Sequence, residues 1–156
     1  MEKYIRIGNR KIGAGQPIFI IAEAGVNHNG SLRLAKKMVD SAKSSGADAI
    51  KFQTFRTEDI VVYNAPKAGY QKRTVPGRYQ FDMLKKLELS ESAFKELFDY
   101  CGKKKIMFLS TPFDTKSAEF LYKLGVPASK ISSGELTNTP LLLQIGKYNK
   151  PIILST

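Results

Sequence analysis

Short apolar runs alternate along this chain with segments in which apolar residues recur every three or four positions. The first run, Ile18 to Ala22, predicts a buried strand, and Glu23 stands where that strand emerges. A polar turn, Asn27-His28-Asn29-Gly30, leads into a predicted helix over 31–45. Leu32, Ala35, Val39 and Ala42 form its buried face, Lys36, Lys37, Asp40 and Lys43 lie off it, and Gly46 stops it. Ahead of this unit, alternation broken by Gly8-Asn9 predicts a hairpin within residues 1–17 that caps the floor of the fold. Further strands are predicted near 49–55, 106–110, 128–133 and 151–155. Between them fall a short helix over 80–87, a helix capped by Ser90 and ended by Gly102, a helix over 115–124 stopped by Gly125, and one opened by Thr139-Pro140 and running from Leu141 to Tyr148. Phe94, Leu97, Phe98 and Cys101 share one helix face, which makes Cys101 a packing residue.

Strands that alternate with helices give an α/β fold with a parallel sheet and right-handed crossovers. An open doubly wound sheet and part of a (β/α)8 TIM barrel both fit. No Gly-rich dinucleotide fingerprint follows the first strand, and no P-loop occurs. Polar residues instead fall at the carboxyl-terminal end of every strand: Glu23; Lys51 and Gln53; Ser110 and Thr111; Lys130, Ser133 and Glu135; Ser155. A barrel mouth has this distribution, each strand giving one or two groups to a common site. A complete barrel takes eight strands and ~250 residues. Residues 18–156 therefore read as five βα units, the N-terminal part of an incomplete barrel. Lys51 and Gln53 project to one side of their strand. A lysine in an apolar strand needs an anion or a carboxylate beside it, unless the strand is an edge and the lysine reaches water.

Charge narrows the partners. The chain has 156 residues, 42% of them hydrophobic, and a formal net charge of +11. The lysines are scattered over helix faces, which reads first as a solvated basic surface and second as a preference for phosphorylated substrates. Basic runs interleaved with aromatics are absent, so nucleic acid is not expected. No apolar run approaches the ~20 residues of a membrane helix, and the N-terminus lacks the apolar core of a signal peptide. The single cysteine leaves no disulfide framework and fits a cytoplasmic setting. Residues 56–80 look irregular and carry Arg56, Lys67, Lys72, Arg73 and Arg78. They read either as a lid over an anionic substrate or as a disordered excursion.

Four motifs, in order and sensibly spaced, resemble the sialic acid (N-acetylneuraminate) synthase family: Ile21-Ala-Glu-Ala-Gly-Val-Asn-His-Asn-Gly-Ser31, Gly46-Ala-Asp-Ala-Ile-Lys-Phe-Gln-Thr54, Leu109-Ser-Thr-Pro-Phe113 and Lys130-Ile-Ser-Ser-Gly-Glu135. Pro76-Gly77 and the stretch Met83 to Ser90 resemble its bacterial nonulosonic branch, which includes legionaminic acid, pseudaminic acid and spore-coat polysaccharide enzymes. The resemblance implies a TIM-barrel enzyme, acting as a homodimer, that condenses phosphoenolpyruvate with an N-acyl-mannosamine-type sugar and releases phosphate. It also implies a divalent metal, Mn2+ or Mg2+, and a C-terminal antifreeze-like domain beyond these residues. Lys51, Thr111, Lys130, Ser133 and Ser155 match positions that hold phosphoenolpyruvate. Glu23, Gln53 and Glu135 match positions on the amino-sugar side. The catalytic work would fall to Glu135, Lys51 and Lys130, with Glu135 orienting sugar hydroxyls or acting as a base toward water. The family holds its metal with two histidines from later strands, whereas this chain has only His28, so no metal site is expected here. His28 reads as a turn residue bonded to backbone. Ser132 departs from the glycine common at that place. Two alternatives stand beside this reading. One is a non-catalytic anion-binding half-barrel. The other is a 3-deoxy-sugar-acid phosphate synthase, against which the Asn27 to Gly30 turn argues. Exposed strand edges at either side of a half-barrel would favour self-association.

Overall fold

A computed structural model describes residues 3–67 and 79–156. A hairpin of β1 (Tyr4–Ile7) and β2 (Arg10–Gly13) comes first, antiparallel across Gly8-Asn9. Five strands then run parallel in two groups: β3 (Ile21–Gly25), β4 (Ala49–Thr54) and β5 (Met107–Pro112) in one ladder, and β6 (Ser129–Ile131) with β7 (Ile152–Leu154) in the other. β6 lies alongside β5, but among the described residues no ladder joins them, so the sheet is open there. Helices α1 (Leu32–Ser44), α4 (Glu91–Lys104), α5 (Thr115–Leu124) and α6 (Thr139–Gly146) cover the outer face. Among the described residues of the connection after β4 stand two short helices, α2 (Thr57–Ile60) and α3 (Gln80–Leu87). This is the α/β arrangement of part of a TIM barrel. No helix among the described residues is long and apolar enough to cross a membrane.

The period of two divides each strand between two apolar clusters. Ile50 and Phe52 of β4 and Phe108 of β5 pack outward against Ala35, Val39 and Ala42 of α1 and Phe94, Leu97 and Cys101 of α4. The Cys101 thiol is fully buried, and burial pushes its pKa up to about 12, so it stays a packing group. Ala49, Leu109 and Ala128 face the other way and meet Ile7 of the hairpin, with Ile21 and Ile153 alongside. Ile7 thus plugs the inner face at the amino ends of the strands. Arg10 reaches Asp48 at 2.6 Å, and Asp48 also accepts the Ile20 N–H at 2.8 Å, which ties the hairpin to the entries of β3 and β4.

Several boundaries differ from the sequence reading, each for a local reason. The first strand is Ile21–Gly25 rather than 18–22, because the ladder starts at Ile21 opposite Ala49 while the Ile20 N–H is taken by Asp48. Ile18 and Ile20 are 83% and 54% exposed. α4 continues through Gly102 to Lys104, and Lys105, at φ 54°, ends it. The cap of α6 is Asn138, whose Oδ1 accepts the Leu141 N–H at 3.3 Å; Thr139 is already helical, and the helix stops before Tyr148. Ser31, Ser90 and Gly125 punctuate α1, α4 and α5 as expected. The stretch 56–80, read as either a lid or a disordered excursion, falls in part on 68–78, outside the described residues, as does Pro76-Gly77. The rest of that stretch is less irregular than expected. Thr57–Ile60 makes one helical turn, its first N–H and the Thr57 hydroxyl held by Glu88 at 2.9 and 2.6 Å.

Candidate active site

The same step of two residues occurs in all five parallel strands. Ile21, Ala49, Leu109, Ala128 and Ile153 form the apolar floor of the inner face. Two residues further on stand Glu23, Lys51, Thr111, Lys130 and Ser155, and these five line one cleft of about 380 Å3 at the carboxyl ends of the strands. Gln53, Ser132 and Ser133 complete its polar wall, and Asn27 and Phe113 close its sides. Seven of the eight residues singled out from the sequence therefore share one cavity. The eighth, Glu135, lies on a 3-10 turn (Ser133–Glu135) and lines an adjoining cleft, where Asn138 Nδ2 donates to it at 2.6 Å. Ser110, counted among the polar strand ends, points outward instead and shares a 2.7 Å hydrogen bond with Thr54.

Lys51 sits on the middle strand of its ladder, directly opposite Glu23 in register, and the two side chains form an ion pair. The edge-strand alternative is thereby excluded: the Lys51 side chain is only 12% exposed, against 51% for Glu23. The β3 register shifts between Glu23 and Gly25, and Gly25 takes φ 54°. Side chains rarely adopt that conformation, so glycine here satisfies the backbone at the register shift. Lys130 is 8% exposed and donates to Ser155 Oγ and to the Ile131 carbonyl, each at 2.7 Å. Burial, and then the nearby Lys51 charge, push the Lys130 ammonium below its ordinary pKa of 10.5, while Glu23 opposes them. Two cations, one carboxylate and a set of hydroxyls suit a compact ligand with more than one negative charge.

The lowered Lys130 pKa has a pH consequence. Anion affinity that uses the charged form is complete below that pKa and falls as pH rises through it, hence below 10.5. Folding stability runs the other way: the unfolded chain holds the proton to higher pH, so stability rises over the same window. An anion-affinity profile in the full-length protein should show this alkaline limb, and Lys130→Arg should move it upward. A profile that stays flat up to pH 10.5 would contradict the placement of Lys130.

His28 is 1% exposed, its Nδ1 accepts the Gly30 N–H at 3.1 Å, and burial lowers its pKa. It is the backbone-bonded turn residue expected. Gly30, at φ 72°, passes so close to the Lys86 carbonyl that a Cβ would lie 2.2 Å from it. Among the described residues no group of three His, Cys, Asp or Glu side chains gathers that would hold a metal ion. The residues here do not fit the divalent site that the resemblance implies. Two polar lining side chains were not among the candidates. Asn27 had a signal, since it follows the end of β3. Ser132, whose buried Oγ has no partner, had only its unusual place in the motif.

Fold and cleft together define a partial-barrel α/β domain whose cleft is lined by two lysines, a carboxylate and several hydroxyls. Comparison with known proteins narrows the class. The NeuB family profile matches residues 38–156, and the chain belongs to the NeuB family. It is 53% identical over 138 residues to the N,N'-diacetyllegionaminic acid synthase of Campylobacter jejuni, an alignment that covers 88% of this chain and 41% of that protein. The N,N'-diacetyllegionaminic acid synthase of Legionella pneumophila is 49% identical over 155 residues, 95% of this chain and 44% of that protein. The N-acetylneuraminic acid (sialic acid) synthetase of Leptospira borgpetersenii, solved in complex with citrate, superposes with a TM-score of 0.81 at 35% identity, over 97% of this chain and 48% of that one. The chain thus spans less than half the length of the relatives it matches.

Proposed function

We propose that this chain is the N-terminal part of a nonulosonic acid synthase, which joins phosphoenolpyruvate to an N-acyl-mannosamine-type sugar. The carrying observation is the convergence of Lys51, Lys130, Thr111, Ser133 and Ser155 on one cleft in a NeuB-family chain. Relatives named as legionaminic and neuraminic acid synthases, one of them solved with a bound polycarboxylate, support it.

In this reading the two lysines and the hydroxyls grip the phosphate and carboxylate of phosphoenolpyruvate. Glu23 and Gln53 hold the sugar so that its aldehyde carbon faces the enol carbon. The enol carbon forms the new carbon–carbon bond as the aldehyde C=O π bond opens onto its oxygen, which takes up a proton; water adds at the oxocarbenium-like centre and gives up its protons, and the centre collapses to a keto group as the carbon–oxygen bond to phosphate breaks. Lys51 and Lys130 stabilise charge on the departing phosphate. Glu135, across Gln53, orients hydroxyls or takes the proton from water. The implied divalent ion would be held by groups outside these residues. A cytoplasmic homodimer completes the reading; the lone buried thiol is compatible with the first, and the second rests on the resemblance alone.

The test is phosphate release by the native full-length polypeptide supplied with phosphoenolpyruvate and an N-acyl-mannosamine-type sugar. One phosphate should appear for each sugar consumed, and none without sugar. Release from phosphoenolpyruvate alone, or no release at all, would sink the reading.

A further inference from the structure

At the other end of the same strands, a cavity of about 590 Å3 opens between the hairpin tip and the helix-to-strand connections that lead into β4, β5 and β6. Its wall is apolar: Phe98, Met107 and Pro127, backed by Phe108. Phe98 and Phe108 meet edge to face, with ring centroids 5.8 Å apart. Arg10, Lys43 and Lys105 line the cavity too, with one carboxylate, Asp48. That carboxylate is already met, by Arg10 at 2.6 Å and by the Ile20 N–H at 2.8 Å. Lys43 Nζ gives one of its three N–H groups to the Lys105 carbonyl at 2.9 Å, which holds it across the ends of α1 and α4. The charged lining groups therefore leave a surplus of two positive charges beside an apolar wall.

Gly102 is the residue that this cavity explains. It lines the cavity from inside α4, not from the end of that helix, and its φ is not positive. Gly46 and Gly125, which also line it, need glycine for their φ of 79° and 91°. Gly102 does not. A glycine inside a helix weakens that helix relative to alanine. A Cβ built on Gly102 meets no heavy atom within 4 Å among the described residues beyond its own helix. Neither backbone nor packing asks for glycine at this place, whereas keeping the cavity open does.

We infer that this cavity binds a small aromatic anion, one or two rings that carry a phosphate or carboxylate, with the rings against Phe98, Met107 and Gly102 and the anion on Lys43 and Lys105. The inference does not depend on the synthase reading. A flat ring extends the Phe98–Phe108 pair, meets the Met107 thioether, and presents its face to nearby cations. The volume falls within the range of about 300–1,000 Å3 usual for small-molecule sites. The cleft at the carboxyl ends of the strands differs in chemistry: its lysines, carboxylate and hydroxyls suit a compact anion with no apolar body.

The experiment is a ligand-observed NMR titration of 1-naphthyl phosphate into the native full-length polypeptide, with excess phosphoenolpyruvate present to occupy the first cleft. A saturable site with a Kd of about 1 mM or tighter is the expected result. 1-Naphthol, which lacks the anion, and octyl phosphate, which lacks the rings, should each bind at least about fivefold more weakly. Gly102→Leu should fill the cavity and lower the affinity for 1-naphthyl phosphate by about tenfold or more. It should melt no lower than wild type, because leucine is the better helix former and its Cβ has room. A Lys43→Ala/Lys105→Ala double variant should lower the affinity for 1-naphthyl phosphate by about tenfold and leave that for 1-naphthol unchanged, so a folding defect in one variant does not decide the outcome. Absence of a saturable site in the wild type, equal binding of octyl phosphate, or wild-type affinity in both Gly102→Leu and the double variant would overturn the inference.

Discussion

Replacing Lys51 with alanine in the full-length protein should lower kcat/KM for phosphoenolpyruvate by about 10²–10³-fold, because ~3–4 kcal/mol separates a charged partner at ~4 Å from none at the effective dielectric of a partly buried site. Lys51 is fixed by its strand, not by a flexible loop: β4 is flanked by β3 and β5, and the side chain stands beside Glu23. The fold should tolerate the change, since the orphaned Glu23 is half-exposed and reaches water. Its released negative charge then opposes the incoming anion, which adds to the loss. Lys51→Arg should recover only part of the rate, because the broader guanidinium does not reproduce a compact ammonium seated between Glu23 and the ligand. Steady-state kinetics decide it. A Lys51→Ala enzyme within threefold of wild type would show that the cleft is not where the anion reacts.

The second large effect is on stability. Phe52→Ala should cost about 3–5 kcal/mol in chemical denaturation, the usual range for removing a buried aromatic ring. Phe52 has no exposed surface, stacks on Phe108 with ring centroids 5.7 Å apart, and faces His28 at 6.1 Å. It occupies the position between Lys51 and Gln53 on the opposite face of β4. The outer core and the cleft are therefore two sides of one strand, and a loss of packing on one side should loosen the other. A cost below about 1 kcal/mol would mean that the site does not collapse around a real cavity.

How far the sequence discloses this arrangement depends on which interactions are local. The polar positions two residues beyond apolar ones are legible, because period two in a strand leaves no choice of face once one residue is buried. Glu23, Lys51, Thr111, Lys130 and Ser155 are visible in the sequence as polar strand ends, with Ser110 among them, and period two is why these five line one cavity while Ser110 turns outward. The start of β3 was misplaced because the ladder runs through small residues, Ala22, Ala24 and Gly25, while the isoleucines before it remain exposed. The α2 turn was invisible because it is four residues long and its first N–H is held by Glu88, 31 residues away. Without that turn, Ile60 and Val61 have no reason to be placed beside Leu84, and the adjoining cleft is not foreseeable. Glu135 was assigned to the common mouth. The 3-10 turn after β6 carries it to the adjoining cleft, a displacement set by Asn138, which caps α6 and bonds Glu135 with the same side chain.

The most direct test of the central claim is calorimetric titration of phosphoenolpyruvate into the full-length protein, wild type against Lys130→Ala. Lys130 is the most buried charged group in the cleft and is held by Ser155 and the Ile131 carbonyl. A saturable site in the wild type whose affinity falls by about tenfold or more in Lys130→Ala is the predicted result, since a charge-assisted hydrogen bond is worth ~1.5–3 kcal/mol. Equal affinity in the two proteins would contradict the account.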